Sequence, residues 1–572
     1  MDAMRYFALA TDYDGTLAHH GQVDESTVEA LRRFRQSGRK LILVTGRLLP
    51  DLERAFPHLD LFDRVVAENG AVVFDPATRE KRVLAAPPPD EFIADLKARK
   101  VTGLSAGEVI VATWHPHETA VLESIRDLGL DLQVIFNKDA VMVLPSGVNK
   151  MTGLKSALTE LKFSPHNVAG IGDAENDHAF LNGCECSVAV ANAIPALKER
   201  VDLVTDGDHG AGVVQLIGRI LDHDLRWLTL SPEKHGVLFG RSGDRDIYID
   251  GQGKTVLLCG QSGSGKSTFV AGFTECLTAR GYQVCLIDPE GDYENMAGFL
   301  TLGDEDHSPS FEQVLKLLED PDSSLIVNLV GFKMQDRPGF FASLLTKLQE
   351  KRLREGRPHW LVIDEAHHLL PSEWAPASAA VAGQAMSLLL ITVHPEHVSP
   401  AALRPVNILA VTGKAPHKSA EELARSIGIR SPRLPETDLG AGEVSVWFRD
   451  SNEVIERMQP VPGKAERKRH RRKYAEGELE PERVFYFRGP EGRMNLRAYN
   501  LTTFIQIAEG IDDDTWLFHL HRGDYSHWLS SSVKDTQLGE EIKRIEQDRA
   551  LSAVQSRQAI AKAIEERYTA PA

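Results

Sequence analysis

Two aspartates one residue apart, Asp12 and Asp14, stand in the run Asp12-Tyr13-Asp14-Gly15-Thr16, directly after the apolar stretch Tyr6 to Thr11. A carboxylate attacks phosphorus only where its own charge and that of the phosphate are neutralised, which calls for a divalent cation and a nearby ammonium. Both can be assembled from residues downstream. Thr45 lies in Thr45-Gly46-Arg47, Lys150 follows Val148-Asn149, and Asp173 and Asp177 share Gly172-Asp173-Ala174-Glu175-Asn176-Asp177. In this chemistry Asp12 is the nucleophile. Asp14 protonates the leaving oxygen and then deprotonates water. Thr45 binds a phosphoryl oxygen and Lys150 supplies fixed positive charge. Asp173 and Asp177, with Asp12, hold a Mg²⁺ that keeps several waters.

A second and chemically different phosphate motif is Gly260-Gln261-Ser262-Gly263-Ser264-Gly265-Lys266-Ser267-Thr268. Backbone amides of such a loop cradle phosphates at a helix N-terminus; Lys266 reaches the β- and γ-oxygens and Ser267 ligates Mg²⁺. Gly260, Gly263, Ser264, Gly265, Lys266, Ser267 and Thr268 are therefore the expected ATP contacts. Trp360 to Ile363 precedes Asp364-Glu365-Ala366-His367-His368. There Asp364 positions the metal and Glu365 activates water, so the second site is equipped to hydrolyse ATP. The letters DEAH suggest a helicase, but the arginine-rich motif such helicases need is absent from the sequence.

The elements that must position these groups follow from pattern. Tyr6 to Thr11, Lys40 to Val44, Arg64 to Ala67 and Val168 to Ile171 read as buried parallel strands, each ending at a motif. Asp24-Glu25-Ser26 opens a helix through Phe34. Residues from about 83 to 143 read as a cap: helices Asp90 to Lys100 and Glu118 to Leu128, with strands Val109 to Trp114, Leu132 to Phe136 and Ala140 to Leu144. Around the second motif, strands Lys254 to Cys259, Gln283 to Ile287 and Ser387 to Val393 are expected, with a helix from Ser267 through Thr278.

At 572 residues the chain is too long for one core. The net charge of −17 argues against general attraction to nucleic acid or anionic membrane. The one dense basic block, Lys464 to Lys473, reads equally as a local nucleic-acid contact, a partner for the acidic surface of a neighbouring subunit, or a solvated basic helix face. Five cysteines without metal spacing read as reduced thiols in a cytoplasmic protein. No signal peptide is expected, and no apolar stretch reaches the ~20 residues of a membrane span. Beyond the basic block, Arg483 to Arg488 and Asn495 to Ala498 suggest a hairpin, followed by helices Leu501 to Glu509, Thr515 to His521 and Ser526 to Leu529, and one long helix from Asp535 to Arg567. His519, His521 and Asp524 read as packing and surface residues rather than metal ligands.

In their order the first set of motifs resembles the haloacid dehalogenase-like phosphatases, specifically the Cof-type branch with a cap between the second and third motifs. The resemblance covers roughly the first 220 residues. It implies an α/β protein with a Rossmann-like core and a small α+β cap, the backbone carbonyl of Asp14 as a further Mg²⁺ ligand, and Asn69 and Asn176 in the phosphate pocket. A small sugar phosphate or phosphoglycolate is the expected phosphate-ester substrate. The second set, with Asp288-Pro289-Glu290-Gly291-Asp292-Tyr293 and the strand ending at His394-Pro395, resembles the HerA/FtsK-type motor ATPases over about 200 residues. It implies a RecA-like domain acting as a homo-oligomeric ring such as a hexamer, with Arg404 or Lys414 as the arginine-finger candidate. His394 stands where many relatives carry glutamine, and the stretch before the P-loop is too short for the β-barrel of the HerA translocases, so DNA pumping does not carry over.

The expected organisation is a phosphatase over 1–220, an ATPase over 225–460, a basic linker over 461–480 and a small α+β or mostly helical module over 481–572. The expected function is a bifunctional hydrolase. Alternatives are a nucleic-acid motor or defence effector whose first domain acts on DNA or nucleotide phosphates, and a first domain that senses a ligand for the ATPase.

Overall fold

The computed structural model describes residues 4–137, 139–261, 263–293, 296–372, 387–440, 442–463, 483–492, 494–533 and 535–568. The basic block Lys464 to Lys473 lies outside the described residues. The chain divides into two compact units, residues 1–289 with 293–465, and residues 290–292 with 466–572. The first unit holds two large mixed sheets.

The strand Ala8–Thr11, buried throughout, lies inside an eight-stranded sheet between Val168–Gly172 and Lys40–Val44. All three run parallel, with Thr11 opposite both Leu43 and Ile171. Their C-terminal ends therefore reach one edge together, and this is where the motif residues begin. Strands buried on both faces need helical cover. Helix Glu25–Gln36 supplies Val28, Leu31 and Phe34, and helix Lys150–Leu161 supplies Leu154, Ala157 and Leu158, to one core. Truncating a residue such as Leu154 to alanine there costs about 2–5 kcal/mol. Asn149 caps the second helix by accepting from the amides of Met151 and Thr152, so the helix begins at Lys150 itself.

The cap is a four-stranded antiparallel sheet, Ser105–Ala106, Val111–Trp114, Ala140–Pro145 and Leu132–Asn137 in spatial order, with helices Asp90–Ala98 and Glu118–Asp127. The edge strand Ser105–Ala106 is too short for alternation to reveal. The first cap helix stops short of Lys100 because that residue turns left-handed, at φ 61.

The second sheet has eleven strands. Its parallel part runs Ile408–Thr412, Thr255–Gly260, Ser387–Thr392, Trp360–Ile363, Val284–Asp288, Ser324–Asn328 and Phe299–Leu302 in spatial order. One strand thus separates the P-loop strand from the strand that ends at Asp364. Antiparallel strands Val444–Phe448, Glu453–Pro460, Val237–Ser242 and Arg245–Ile249 extend the other edge. The hairpin Val237–Ile249 occupies the stretch too short for a barrel.

In the second unit a hairpin, Phe485–Phe487 with Leu496–Ala498, packs with helices Leu501–Gly510, Asp513–Arg522 and Asp524–Ser531 around Phe504, Trp516, Tyr525 and Trp528. The single terminal helix expected from Asp535 is two, Thr536–Gln547 and Ala553–Tyr568. The break has a local cause. Ser552 Oγ accepts from the Gln555 amide and the Gln555 side chain accepts from the Ser552 amide, a capping box that starts a new helix. His519 is buried, with Nδ1 2.8 Å from Asp524 and Nε2 accepting from the Arg488 amide at 3.0 Å, so it packs as expected. Among the described residues no helix is long and apolar enough to cross a membrane.

Candidate active sites

At the edge of the first sheet, Lys150 Nζ donates to Asp12 Oδ1 at 2.6 Å and to Asp177 Oδ1 at 2.5 Å, and all three side chains are almost completely buried. Asp173 completes the cluster, since ligand atoms of Asp12, Asp173 and Asp177 lie within 4.8 Å of one another. Burial and the Asp177 carboxylate push the Asp12 carboxyl well above its ordinary range, and the Lys150 ammonium opposes them. For Lys150 burial works the other way, but Asp12 and Asp177 overcome it and raise its pKa, so the ammonium stays charged.

The backbone is shaped to this cluster. Gly15 has φ +88, and a Cβ there would sit 2.3 Å from Asp173 Oδ2. Only glycine therefore lets the loop pass so close. Asp177 Oδ2 accepts from the amides of Asp173 and Ala174, at 2.8 and 3.0 Å, while Thr16 Oγ1 donates to Asp173 Oδ1 at 3.1 Å. Asp177 thus fixes both the loop and the lysine. Thr45, buried at the end of the neighbouring strand, accepts from the Arg47 amide through Oγ1 at 3.1 Å. Asn176 Nδ2 lies 3.4 Å from Asn69 Oδ1, bringing those two together.

Asp14 has a partner that its motif does not show. Both its oxygens accept from Arg47, Oδ2 from Nε and Oδ1 from Nη2, each at 2.6 Å, and the Arg47 guanidinium lies 5.0 Å from the Tyr13 ring centre. Glu68 and Asn69 both adopt left-handed backbone, φ 50 and 54, at a cost of about 1–3 kcal/mol each. The Glu68 carboxylate, itself buried, accepts from the amides of Glu108, Val109 and Ile110 in the cap. A Cβ on Gly107 would come within 2.5 Å of that carboxylate. The Glu68 side chain therefore ties core to cap.

In the second sheet the loop from Gly260 leads into helix Lys266–Ala279, which starts one residue before the expected Ser267. Gly263 and Gly265 are left-handed, and a Cβ on Gly260 would strike Thr412 Oγ1 at 2.1 Å. Lys266 Nζ donates to the carbonyls of Gly260 and Gln261 at 2.8 and 3.1 Å. Ser264 Oγ lies 2.7 Å from Thr412 Oγ1. A cavity of about 420 Å³ is lined by Gly263, Ser264, Gly265, Thr268, Thr412 and Lys414, among others. Ser267 is half-buried in the first helical turn. Asp364 and Glu365 are buried two strands away, and Glu365 is held at φ 42, a strained conformation for a residue with a side chain. His367 lies 3.4 Å from Glu365 and 3.0 Å from Thr392 Oγ1. Burial and then His368 hold the His367 pKa down at about 3, so its ring is neutral at pH 7. His394, half-exposed, faces His367 edge-on at 5.7 Å and hydrogen-bonds Glu396.

Residues 9–102 and 107–217 match the family model described as haloacid dehalogenase-like hydrolase. A phosphoglycolate phosphatase of Methanothermobacter thermautotrophicus is 33% identical over 222 residues, covering 37% of this chain and 98% of the relative. The chain belongs to the haloacid dehalogenase-like hydrolases. A phosphoglycolate phosphatase of Haloarcula marismortui is 32% identical over 227 residues, covering 37% of this chain and 97% of the relative. Residues 249–394 match the model described as AAA domain. The chain is thus an enzyme with a haloacid dehalogenase-like hydrolase portion followed by an AAA-type P-loop ATPase domain.

In the haloacid dehalogenase-like portion two residues escaped the reading of the sequence. Arg47 had one signal, its place directly after Thr45-Gly46. Glu68 had none, because its partners are backbone amides 40 residues away. In the AAA domain, His367 was visible only as the first histidine after Asp364-Glu365.

Proposed function

We propose that this chain is a bifunctional hydrolase, a Mg²⁺-dependent phosphomonoesterase joined to an ATP-hydrolysing motor domain. The observation that carries the first activity is the buried ammonium of Lys150 bridging Asp12 and Asp177. An Asp12 oxygen bonds to phosphorus as the ester P–O bond breaks, and Asp14 gives the departing alkoxide its proton. Water then attacks the aspartyl-phosphate and passes a proton to Asp14, releasing orthophosphate and restoring Asp12. Lys150 and Thr45 hold the transferring phosphoryl group. The donor set fits a hard cation, since it consists of carboxylate oxygens only, all buried. Asp12, Asp173 and Asp177, with the Asp14 carbonyl, would hold Mg²⁺, which when bound offsets the negative charge shared by nucleophile and substrate.

The Arg47 clamp bears on the substrate. Asp14 cannot donate a proton to a leaving group while both its oxygens accept from one guanidinium. An ester carrying a second anionic group, such as the carboxylate of phosphoglycolate, offers Arg47 another planar partner and frees Asp14. This favours phosphoglycolate-like substrates, in line with the names of the relatives. Arg47→Ala is therefore expected to lower kcat/KM for phosphoglycolate by about 10–100-fold, the worth of a charged hydrogen-bonded pair. For p-nitrophenyl phosphate, whose leaving group departs as a phenolate and needs no proton from Asp14, the change stays within a few-fold. Equal losses on both substrates would remove Arg47 from substrate selection.

For the AAA domain the reading is ATP hydrolysis with Lys266, Ser267 and Thr268 on the nucleotide, Asp364 on its metal and Glu365 on the attacking water. The HerA-like reading rests on the acidic run at Asp288 to Tyr293 and on the strand order, and it carries a homo-oligomeric ring with it. Both Arg404 and Lys414 are exposed, but Lys414 lines the P-loop cavity of its own chain, which makes Arg404 the better candidate to reach a neighbour. A rise in solution mass to a multiple of 63.2 kDa on adding ATP is expected, and a monomer under all conditions would count against the ring.

A further inference from the structure

The haloacid dehalogenase-like core and the AAA domain touch at the far ends of the elements that carry their catalytic side chains. Helix Lys150–Leu161 presents Lys150 to Asp12 at its start and is closed at its end by Lys162, left-handed at φ 61. The Lys162 carbonyl accepts from Arg357 Nε at 3.0 Å and Nη2 at 2.6 Å. Arg357 is fully buried, and its Nη1 donates to Gln283 Oε1 and the Leu318 carbonyl within the AAA domain, at 3.0 and 3.1 Å. Three residues later begins the strand Trp360–Ile363 that delivers Asp364 and Glu365.

A second joint has the same design. Helix Lys266–Ala279 starts at the P-loop lysine and ends at the C-cap Arg280. The Arg280 carbonyl accepts from His166 Nε2 at 2.7 Å, while His166 Nδ1 lies 2.8 Å from Glu185 of the first core. The His166 ring stacks on Tyr282 with centres 3.7 Å apart and planes 12° from parallel. Close approach is required on both sides. A Cβ on Gly356 would lie 2.3 Å from the Asn167 side chain.

We infer that Arg357 and His166 are positioning residues shared by the two reactions, and that through them occupancy of the nucleotide site changes the affinity of the phosphatase site for phosphate. A buried guanidinium contributes little net stability after its desolvation, so its value here is the geometry its hydrogen bonds impose. For Lys266 to reach a nucleotide phosphate, its Nζ has to leave the carbonyls of Gly260 and Gln261. Any displacement of the helix behind it, 14 residues and about 21 Å long at 1.5 Å per residue, is carried to its far end. Its far end is bonded to His166, and the strand carrying Glu365 is bonded through Arg357 to the helix carrying Lys150. A ligand at one site thus meets a different arrangement of the other.

The inference rests on reading both sites as phosphate-binding, and one calorimetric experiment separates the two claims. Orthovanadate is titrated into the full chain with Mg²⁺, with and without saturating AMP-PNP, and AMP-PNP is titrated with and without vanadate. The expected result is a change in each dissociation constant of about threefold or more, equal in the two directions because coupling is reciprocal. Arg357→Gln and, separately, His166→Phe are expected to reduce the change to less than about 1.5-fold while both ligands still bind. His166→Phe keeps the ring on Tyr282 and removes only its nitrogens, so it decides the matter if Arg357→Gln does not fold. Tight binding of both ligands without mutual change overturns the coupling. Undiminished coupling in both variants overturns the role of the two residues. Failure of vanadate or AMP-PNP to bind overturns the reading of that site, and the inference with it.

Discussion

Asp12→Asn is expected to abolish phosphate release from p-nitrophenyl phosphate, a loss of about 10⁴-fold or more, while ATP turnover by the same protein continues. The amide matches the carboxylate in size, so the buried pocket around Lys150 and Asp177 keeps its volume. What disappears is the nucleophile, and groups that act as one catalytic unit fail nearly completely when one is removed. The variant also leaves Lys150 with Asp177 as its remaining carboxylate partner at that position. Because both partners of the ammonium are buried, some stability is lost with the pair. Melting curves on the variant separate that loss from the chemical one. Residual release above about 1% of wild type would point to another nucleophile.

Glu365→Gln is expected to lower ATP turnover by about 10²–10³-fold with nucleotide affinity nearly unchanged, the pattern of a group that acts on the attacking water and not on the bound nucleotide. Glu365 is suited to that role by position. It is buried, held in left-handed backbone and flanked by His367, whose ring is neutral at pH 7. Single-turnover hydrolysis and equilibrium binding on the same sample distinguish this from a binding defect. A parallel loss of affinity would assign Glu365 to nucleotide or metal binding instead.

Much of this was written in local sequence. Strands such as Ala8–Thr11 and Trp360–Ile363 are continuous apolar runs that end in acidic residues, and the P-loop has glycines where backbone amides must approach phosphates. Lys150 could be placed from the order of the motifs, and the structure adds that Asn149 caps its helix and fixes the lysine at the first turn. What local pattern could not carry was long-range pairing. The Arg47 clamp on Asp14 spans 33 residues. The Glu68 tie to the cap joins a side chain to backbone amides, which leave no trace in residue type. The antiparallel strands from Val237 to Ile249 and from Val444 to Pro460 belong to a sheet whose centre lies elsewhere in the chain. The terminal helix is the exception: its break at Ser552 and Gln555 is a local capping-box pattern present in the sequence, not a long-range pairing.

The measurement that tests the account most directly is phosphate release from p-nitrophenyl phosphate by Lys266→Ala, assayed without nucleotide beside wild type and Asp12→Asn. Two intact catalytic sets, each with its own nucleophile or water activator, predict that Lys266→Ala retains wild-type release within a few-fold while losing ATP turnover. Release that falls in Lys266→Ala as far as in Asp12→Asn would contradict the account, because the phosphatase chemistry would then depend on the P-loop.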